Sequence, residues 1–274
     1  MKIGEWQTLQ IDRETSIGLF LVDEEGQEVL LPMKWIPEDQ EDDTIRVFVH
    51  RDGDDRLIAT TLHPHIEAYQ YGSLRVKAVN KVGAWLDWGI EKDLLVPFAE
   101  QFYPMKEGEW HVVYAFVDEK SDRLIASSRV TQFFIRHDVQ LDPQQEVDCI
   151  AHKKTDLGIH AVINNRYGGL VHRSDLHRPI RVGETFKAYV FNVREDGKVD
   201  LRLRREGHKA LAGDAKRIVD ALAKNNGFLP LHDKSDPEVI KEKLGMSKKS
   251  FKKIIGGLYK SRQIEIRPDG IYLV

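Results

Sequence analysis

Two groups of residues have types and spacing suited to chemistry, and in both the chemistry is non-covalent. In Gly83-Ala84-Trp85-Leu86-Asp87-Trp88, strand alternation sets Trp85 opposite Leu86 and leaves Trp88 on the core side. An outward tryptophan offers a π-face to any base, and Arg123 further along offers charge to phosphate. The alternative for Trp85 is packing beneath a neighbouring domain. The second group is Lys248, Lys249, Lys252, Lys253 and Lys260, which share one arc at helical period, with Phe251, Ile254, Ile255 and Leu258 opposite. Such a face follows phosphates or is simply solvated; it offers no Arg, Asn or Gln before Gln263 to read bases.

Covalent and metal chemistry have less footing. Ser250-Phe251-Lys252-Lys253 matches Ser-x-x-Lys by count but lacks the companion motifs of acyl-enzyme catalysis. His63-Pro64-His65 lacks further ligands at metal spacing, and Glu38-Asp39-Gln40-Glu41-Asp42-Asp43 lacks the spacing of a calcium loop. Cys149 sits among apolar neighbours, as a buried core thiol does. The expectation is a protein that is not an enzyme and has no cofactor or metal.

The elements that must position these residues are mostly strands. From Glu146 to Arg205, Gly158 to Ile163, Gly183 to Val190 and Lys198 to Arg204 alternate apolar and polar residues between glycine-bearing turns. About five such strands in about 60 residues suit a small Greek-key barrel of the oligonucleotide-binding (OB-fold) type. The pattern recurs. Gly18, Gly83 and Gly158 precede Leu31-Pro32, Val96-Pro97 and Val171-His172 at one spacing, and Asp55 to Thr60 answers Asp122 to Ser127. Three copies of one barrel follow, read as beads on short linkers. The first has strands near Trp6 to Ile11, Ile17 to Val22, Glu28 to Pro32, Thr44 to His50 and Leu57 to Leu62.

From Ala210 the period becomes helical. A helix from Asp214 to Lys224 ends at Asn225-Asn226-Gly227; a short run, Phe228 to Leu231, precedes a helix begun by Asp236-Pro237. Ser247 caps a third helix, and a hairpin turns at Pro268-Asp269-Gly270. This order looks like a winged helix. The fold expected is therefore mostly β with a C-terminal α+β domain: three tandem barrels at 1–65, 72–135 and 144–206, then a winged helix at 210–274.

Gly168-Gly169-Leu170-Val171-His172-Arg173-Ser174-Asp175-Leu176, with the Val-Gly-Glu at Val182 and the basic end of the fifth strand, resembles an S1 domain. By that resemblance His160 takes the place of a base-stacking aromatic, His172 that of the strand-three histidine and Lys198 that of a basic residue near phosphate. Arg166 and Tyr167, in the turn between strands two and three, extend the groove. Leu157 replaces a usual aromatic and Arg194 a usual acid, the latter adding positive charge. Pro32 and Pro97 stand where the third copy has His172, so the third copy is expected to hold RNA best. Three S1-like copies and a winged helix resemble the conserved virulence factor B (YitL-like) family of bacterial S1 RNA-binding proteins. The resemblance implies RNA binding and post-transcriptional regulation of gene expression.

Charge is graded along the chain. Residues 1–72 hold 6 basic and 16 acidic side chains, and residues 207–274 hold 14 and 8. A polyanion is drawn to the C-terminal half and repelled by the first copy, whose acidic loop suits a protein partner. With 41% hydrophobic and 31% charged residues, no apolar run of membrane length and no signal-peptide core at the start, a cytoplasmic location without membrane contact is expected. Single-stranded RNA is the expected partner. A winged-helix transcription regulator on DNA, and a protein scaffold built on the acidic first barrel, are the alternatives.

Overall fold

The computed structural model describes residues 1–204 and 208–274, with side chains of the first helix from Asp214 onward. The expected end of the third copy, Arg205 and residue 206, lies outside the described residues. The chain divides into two compact units, 1–203 and 204–274.

In the first unit, strands β1 (Trp6–Thr15), β2 (Gly18–Val22), β3 (Glu28–Pro32), β4 (Thr44–Arg51) and β5 (Leu57–Thr60) close a barrel in the order β1-β2-β3-β5-β4. Strands β6 (Tyr71–Val79), β7 (Gly83–Leu86), β8 (Leu94–Pro97), β9 (Trp110–Asp118) and β10 (Arg123–Ser127) repeat that cyclic order as a five-stranded sheet. Strands β11 (Glu146–Thr155), β12 (Gly158–Ile163), β13 (Tyr167–His172), β14 (Thr185–Val193) and β15 (Val199–Arg202) close again. The seam in the two closed barrels is parallel, with Leu30 opposite Ile58 and Gly169 to Val171 opposite Val199 to Leu201.

β1 runs past the expected Ile11 because the pairing register shifts between Ile11 and Arg13. An extra residue there bends the strand, so it pairs β4 with its first half and β2 with its second. Equivalent shifts occur at Val76/Ala78 and Ala151/Lys153. The recurrent glycine also has a physical cause. Gly18, Gly83 and Gly158 have φ of 145°, 159° and 146°, and a Cβ at each would lie 2.0–2.2 Å from the carbonyl oxygen of Leu31, Val96 or Val171.

The copies are not beads on a string. Phe48 of the first barrel is fully buried in the core of the second, edge-on to Trp88 with ring centroids 5.4 Å apart. Tyr71, Val112 and Val130 share an apolar cluster with Val162 of the third. Short linkers leave these apolar faces nowhere to go but against each other. Cys149 is buried in the third core, and burial pushes its thiol up to about 12.

The second unit orders α1 (His208–Lys224), β16 (Phe228–Leu229), α2 (Pro237–Leu244), α3 (Lys248–Lys260), β17 (Ile264–Arg267) and β18 (Gly270–Leu273), with the sheet β16-β18-β17. α1 begins at His208, ahead of the expected Asp214. The Asp236 carboxylate accepts from the Glu238 amide, Gly245 ends α2 with φ 65°, and the Ser247 hydroxyl accepts from the Ser250 amide. Ile218, Leu222, Phe251, Ile255 and Ile271 form its core. This is the expected winged helix.

Candidate nucleic-acid interface

The third barrel carries a groove of about 370 Å³, mostly apolar, across β12, β13 and β15. Its floor is backbone. Gly168 and Gly169 of β13 lie between β12, which carries His160, and β15, which carries Val199 and Asp200. Gly168 admits the ring of Phe134, which would stand 2.5 Å from a Cβ there, and Gly197 admits the carbonyl of Arg136 at 1.9 Å. The segment joining the second and third barrels therefore walls the groove. Leu157 stands at its rim, 64% exposed.

The polar side of the groove is a network centred on Asp200. Arg194 donates from Nε and Nη2 at 2.9 and 2.6 Å, and Asp200 also lies 3.2 Å from His172 Nε2. Burial raises the Asp200 carboxyl, but the hydrogen bonds from Arg194 and His172 outweigh it and hold it below the usual carboxylate range. Arg194 is thus not the added positive charge expected, since Asp200 neutralises it. Lys198, with its side chain 73% exposed, reaches Asp196 at 2.5 Å. That pair is exposed to solvent and easily exchanged for phosphate.

Burial disfavours the charged form of the histidines on the other side. Burial, then the charges of His160 and Lys153, lowers His152 to about 4. Burial and Lys153 also lower His160. The two rings meet edge-on at 6.1 Å, and His152 meets Phe134 at 5.7 Å. An aromatic wall facing a polar wall suits a flat heterocycle.

Other expected site residues fall elsewhere. Tyr167 is buried in the third core and offers no face to a base. Alternation from His172 puts it inside, so it is removed from the site. Arg166 is exposed, but its carbonyl accepts from the Ile135 amide, and neighbouring Asn165 accepts from Tyr71 and donates to Tyr69. That turn docks on the second barrel. Arg123 is not a phosphate ligand in waiting: its guanidinium binds Asp55 of the first barrel at 2.9 and 3.0 Å, while Arg51 binds Asp122 in return. Trp85 is half-buried in a cleft it shares with Asp52, Asp55 and Arg123, beneath the β4–β5 turn. Arg51, Lys92 and Arg123 in that cleft are matched by Asp52, Asp55 and Asp93, so it offers phosphate no net positive charge.

On α3, Lys249, Lys252 and Lys253 are exposed, and Lys248 is half-buried with its amine turned to the Lys234 carbonyl at 3.4 Å. Phe134, His152 and Asp200 were not among the expected residues. Asp200 had a signal, since it alternates with Lys198 on one strand face; Phe134 lay in a segment read as linker.

Residues 3–62 match the S1 domain and residues 216–273 the CvfB-like winged helix domain. The S1 match thus falls on the first copy, the one with the plainest departures from the pattern. Both are nucleic-acid-binding domain types rather than enzyme families, and their combination supports nucleic-acid binding. Among the described residues no helix is long and apolar enough to cross a membrane.

The chain belongs to the conserved virulence factor B (YitL-like) family. It is 32% identical to the uncharacterized protein YitL of Bacillus subtilis, over 96% of this chain and 91% of that one. It is 30% identical to conserved virulence factor B of Staphylococcus epidermidis, over 83% and 78%. A solved multidomain protein with nucleic acid binding domains from Streptococcus pneumoniae aligns over 99% of this chain and 98% of its own, at 26% identity and a TM-score of 0.41.

Proposed function

We propose that the protein binds single-stranded RNA in the groove of the third barrel and acts as a post-transcriptional regulator of gene expression. One observation carries the reading: a single groove sets His160 and Phe134 against Lys198 and the Arg194–Asp200 pair, to which His172 is hydrogen-bonded, over a glycine floor. An unstacked base presents the flat face that such a lining can take. The lysines of α3 add phosphate contacts without base reading. We take the working domains as 1–65, 72–135, 144–206 and 210–274, with the protein acting in the cytoplasm.

A second reading rests on the same α3 lysines, which would hold duplex DNA as a winged-helix regulator does. Fluorescence anisotropy with labelled single-stranded RNA, single-stranded DNA and duplex DNA separates the two. Preference for single-stranded RNA, weakened by His172→Ala, supports the groove. Tight duplex binding, lost only when Lys248, Lys249, Lys252 and Lys253 are changed to Ala, replaces it with the second reading. The acidic loop 38–43 is the place for a protein partner, and Ser at Asp39, Glu41, Asp42 and Asp43 would abolish that partner's co-purification.

A further inference from the structure

Beside the groove, the second barrel displays Phe102 and Tyr103, 50% and 65% exposed, with ring centroids 4.6 Å apart and edge to face. They are held firmly. Gln101 is buried, donating to the Val96 carbonyl and accepting from the Met105 amide. The Phe102 amide donates to the Ser128 hydroxyl, and Arg129 donates to the Ala99 carbonyl. Two large aromatic rings on a braced loop gain nothing from solvent, so their fixed presentation points to a ligand with flat faces.

Lys153 links this loop to the groove. Its amine lies 5.3 Å from the centre of the Phe102 ring, and on β11 it is the register partner of His160. Side chains of such partners stand on one face of the sheet, a few ångströms apart. Lys154 follows it, also exposed; Asp156 in the next turn and Glu100 on the aromatic loop are the opposing charges nearby. Two rings with Lys153 beside them, in register with His160 of a groove that holds Lys198, offer both stacking faces and positive charge to the bases and phosphates of a single strand.

We infer that Phe102, Tyr103 and Lys153 form a second stacking step, so that one single strand runs from the third-barrel groove across the joint onto the second barrel. The inference rests on the proposed RNA reading and extends it: the site is longer than one barrel, and the second barrel contributes through its 98–103 loop rather than through Trp85.

The test is anisotropy of labelled oligouridylates of roughly 4 and roughly 16 nucleotides, lengths that span the range occupied by one such barrel. Full-length protein is compared with Phe102→Ala/Tyr103→Ala, Tyr103→Leu, Tyr103→Phe and Lys153→Ala. The double variant is expected to lose about fivefold or more on the long strand, the lower end for one stacked base, while keeping the short one. Tyr103→Phe keeps wild-type affinity for the long strand while Tyr103→Leu and Lys153→Ala each lose part of it, because the π-face and the charge, not apolar area, are what count. Wild-type affinity of the double variant for the long strand overturns the inference and leaves the groove reading intact. Equal losses at both lengths overturn it as well, since a separate second step cannot affect a strand too short to reach it. An altered sedimentation mass with unchanged RNA affinity makes the loop a protein contact instead. A wild-type protein that binds neither strand removes the groove reading and this one together.

Discussion

Arg194 and Asp200 face each other across the turn between β14 and β15, the guanidinium forking both carboxylate oxygens at 2.9 and 2.6 Å. The pair is half in water: Arg194 is 43% exposed, Asp200 only 13%. It cancels the charge that Arg194 would bring to the groove and fixes Asp200 as the acceptor that holds His172. Positive potential there depends on Lys198, and Asp200 acts as its brake.

Asp200→Asn keeps the shape and removes the brake. Single-stranded RNA affinity is expected to rise several-fold at low salt and to converge on wild type as salt screens the freed Arg194. Stability falls by about 1–2 kcal/mol, less than for a fully buried pair because Arg194 stays solvated. Anisotropy at two salt concentrations and urea unfolding check both, and a loss of affinity would mean that Asp200 itself touches the ligand.

Lys198→Ala and Arg123→Ala separate a groove cation from a structural one. The first is expected to flatten the slope of log affinity against log salt by about 0.7, one phosphate of a single strand. The second leaves the slope alone and costs little stability, as exposed ion pairs do. Equal slopes for the two variants would remove Lys198 from the interface.

His152 gives a pH dependence whose sign is fixed. Its folded value of about 4 lies below the ordinary 6.5, so the unfolded chain binds the proton more readily. The associated stability is complete above pH 6.5, is lost as pH falls toward 4, and changes no further below that. Between pH 7 and 5 the loss is about 2 kcal/mol. His152→Gln is expected to flatten this part of the urea-midpoint profile; an unchanged profile would place the titration elsewhere.

How much of this was legible follows from range. Local rules reached the strands, the caps at Asp236 and Ser247, and the glycines facing Leu31, Val96 and Val171, because each depends on residues near in sequence or on a two-residue period. They missed what depends on a second barrel. Trp85 and Arg123 read as outward, and they are; outward, however, meets the β4–β5 turn, where Asp55 waits. Tyr167 failed for a nearer reason, since period-two counting back from His172 already sends it inward. Phe134 was illegible because a linker has no period, and only the bare backbone of Gly168 hints that a ring rests there.

Phe48 tests whether the barrels fold as one. It belongs to β4 of the first barrel, yet it is fully buried against Trp88 and packs with Ile66, Leu74 and Val113 of the second. Trp6 and the Arg123–Asp55 pair cover the same joint. Removing the ring leaves a cavity that neither barrel can close alone, so Phe48→Ala is expected to cost about 3–5 kcal/mol. The exposed ion pair contributes little beside it. Because a strand of the first barrel supplies this ring to the core of the second, the loss should appear as one urea transition shifted as a whole, reported alike by Trp6 and Trp88 fluorescence in single-tryptophan variants. Two separate transitions, with the first barrel melting ahead of an unaltered second, would show that the shared cluster does not couple them.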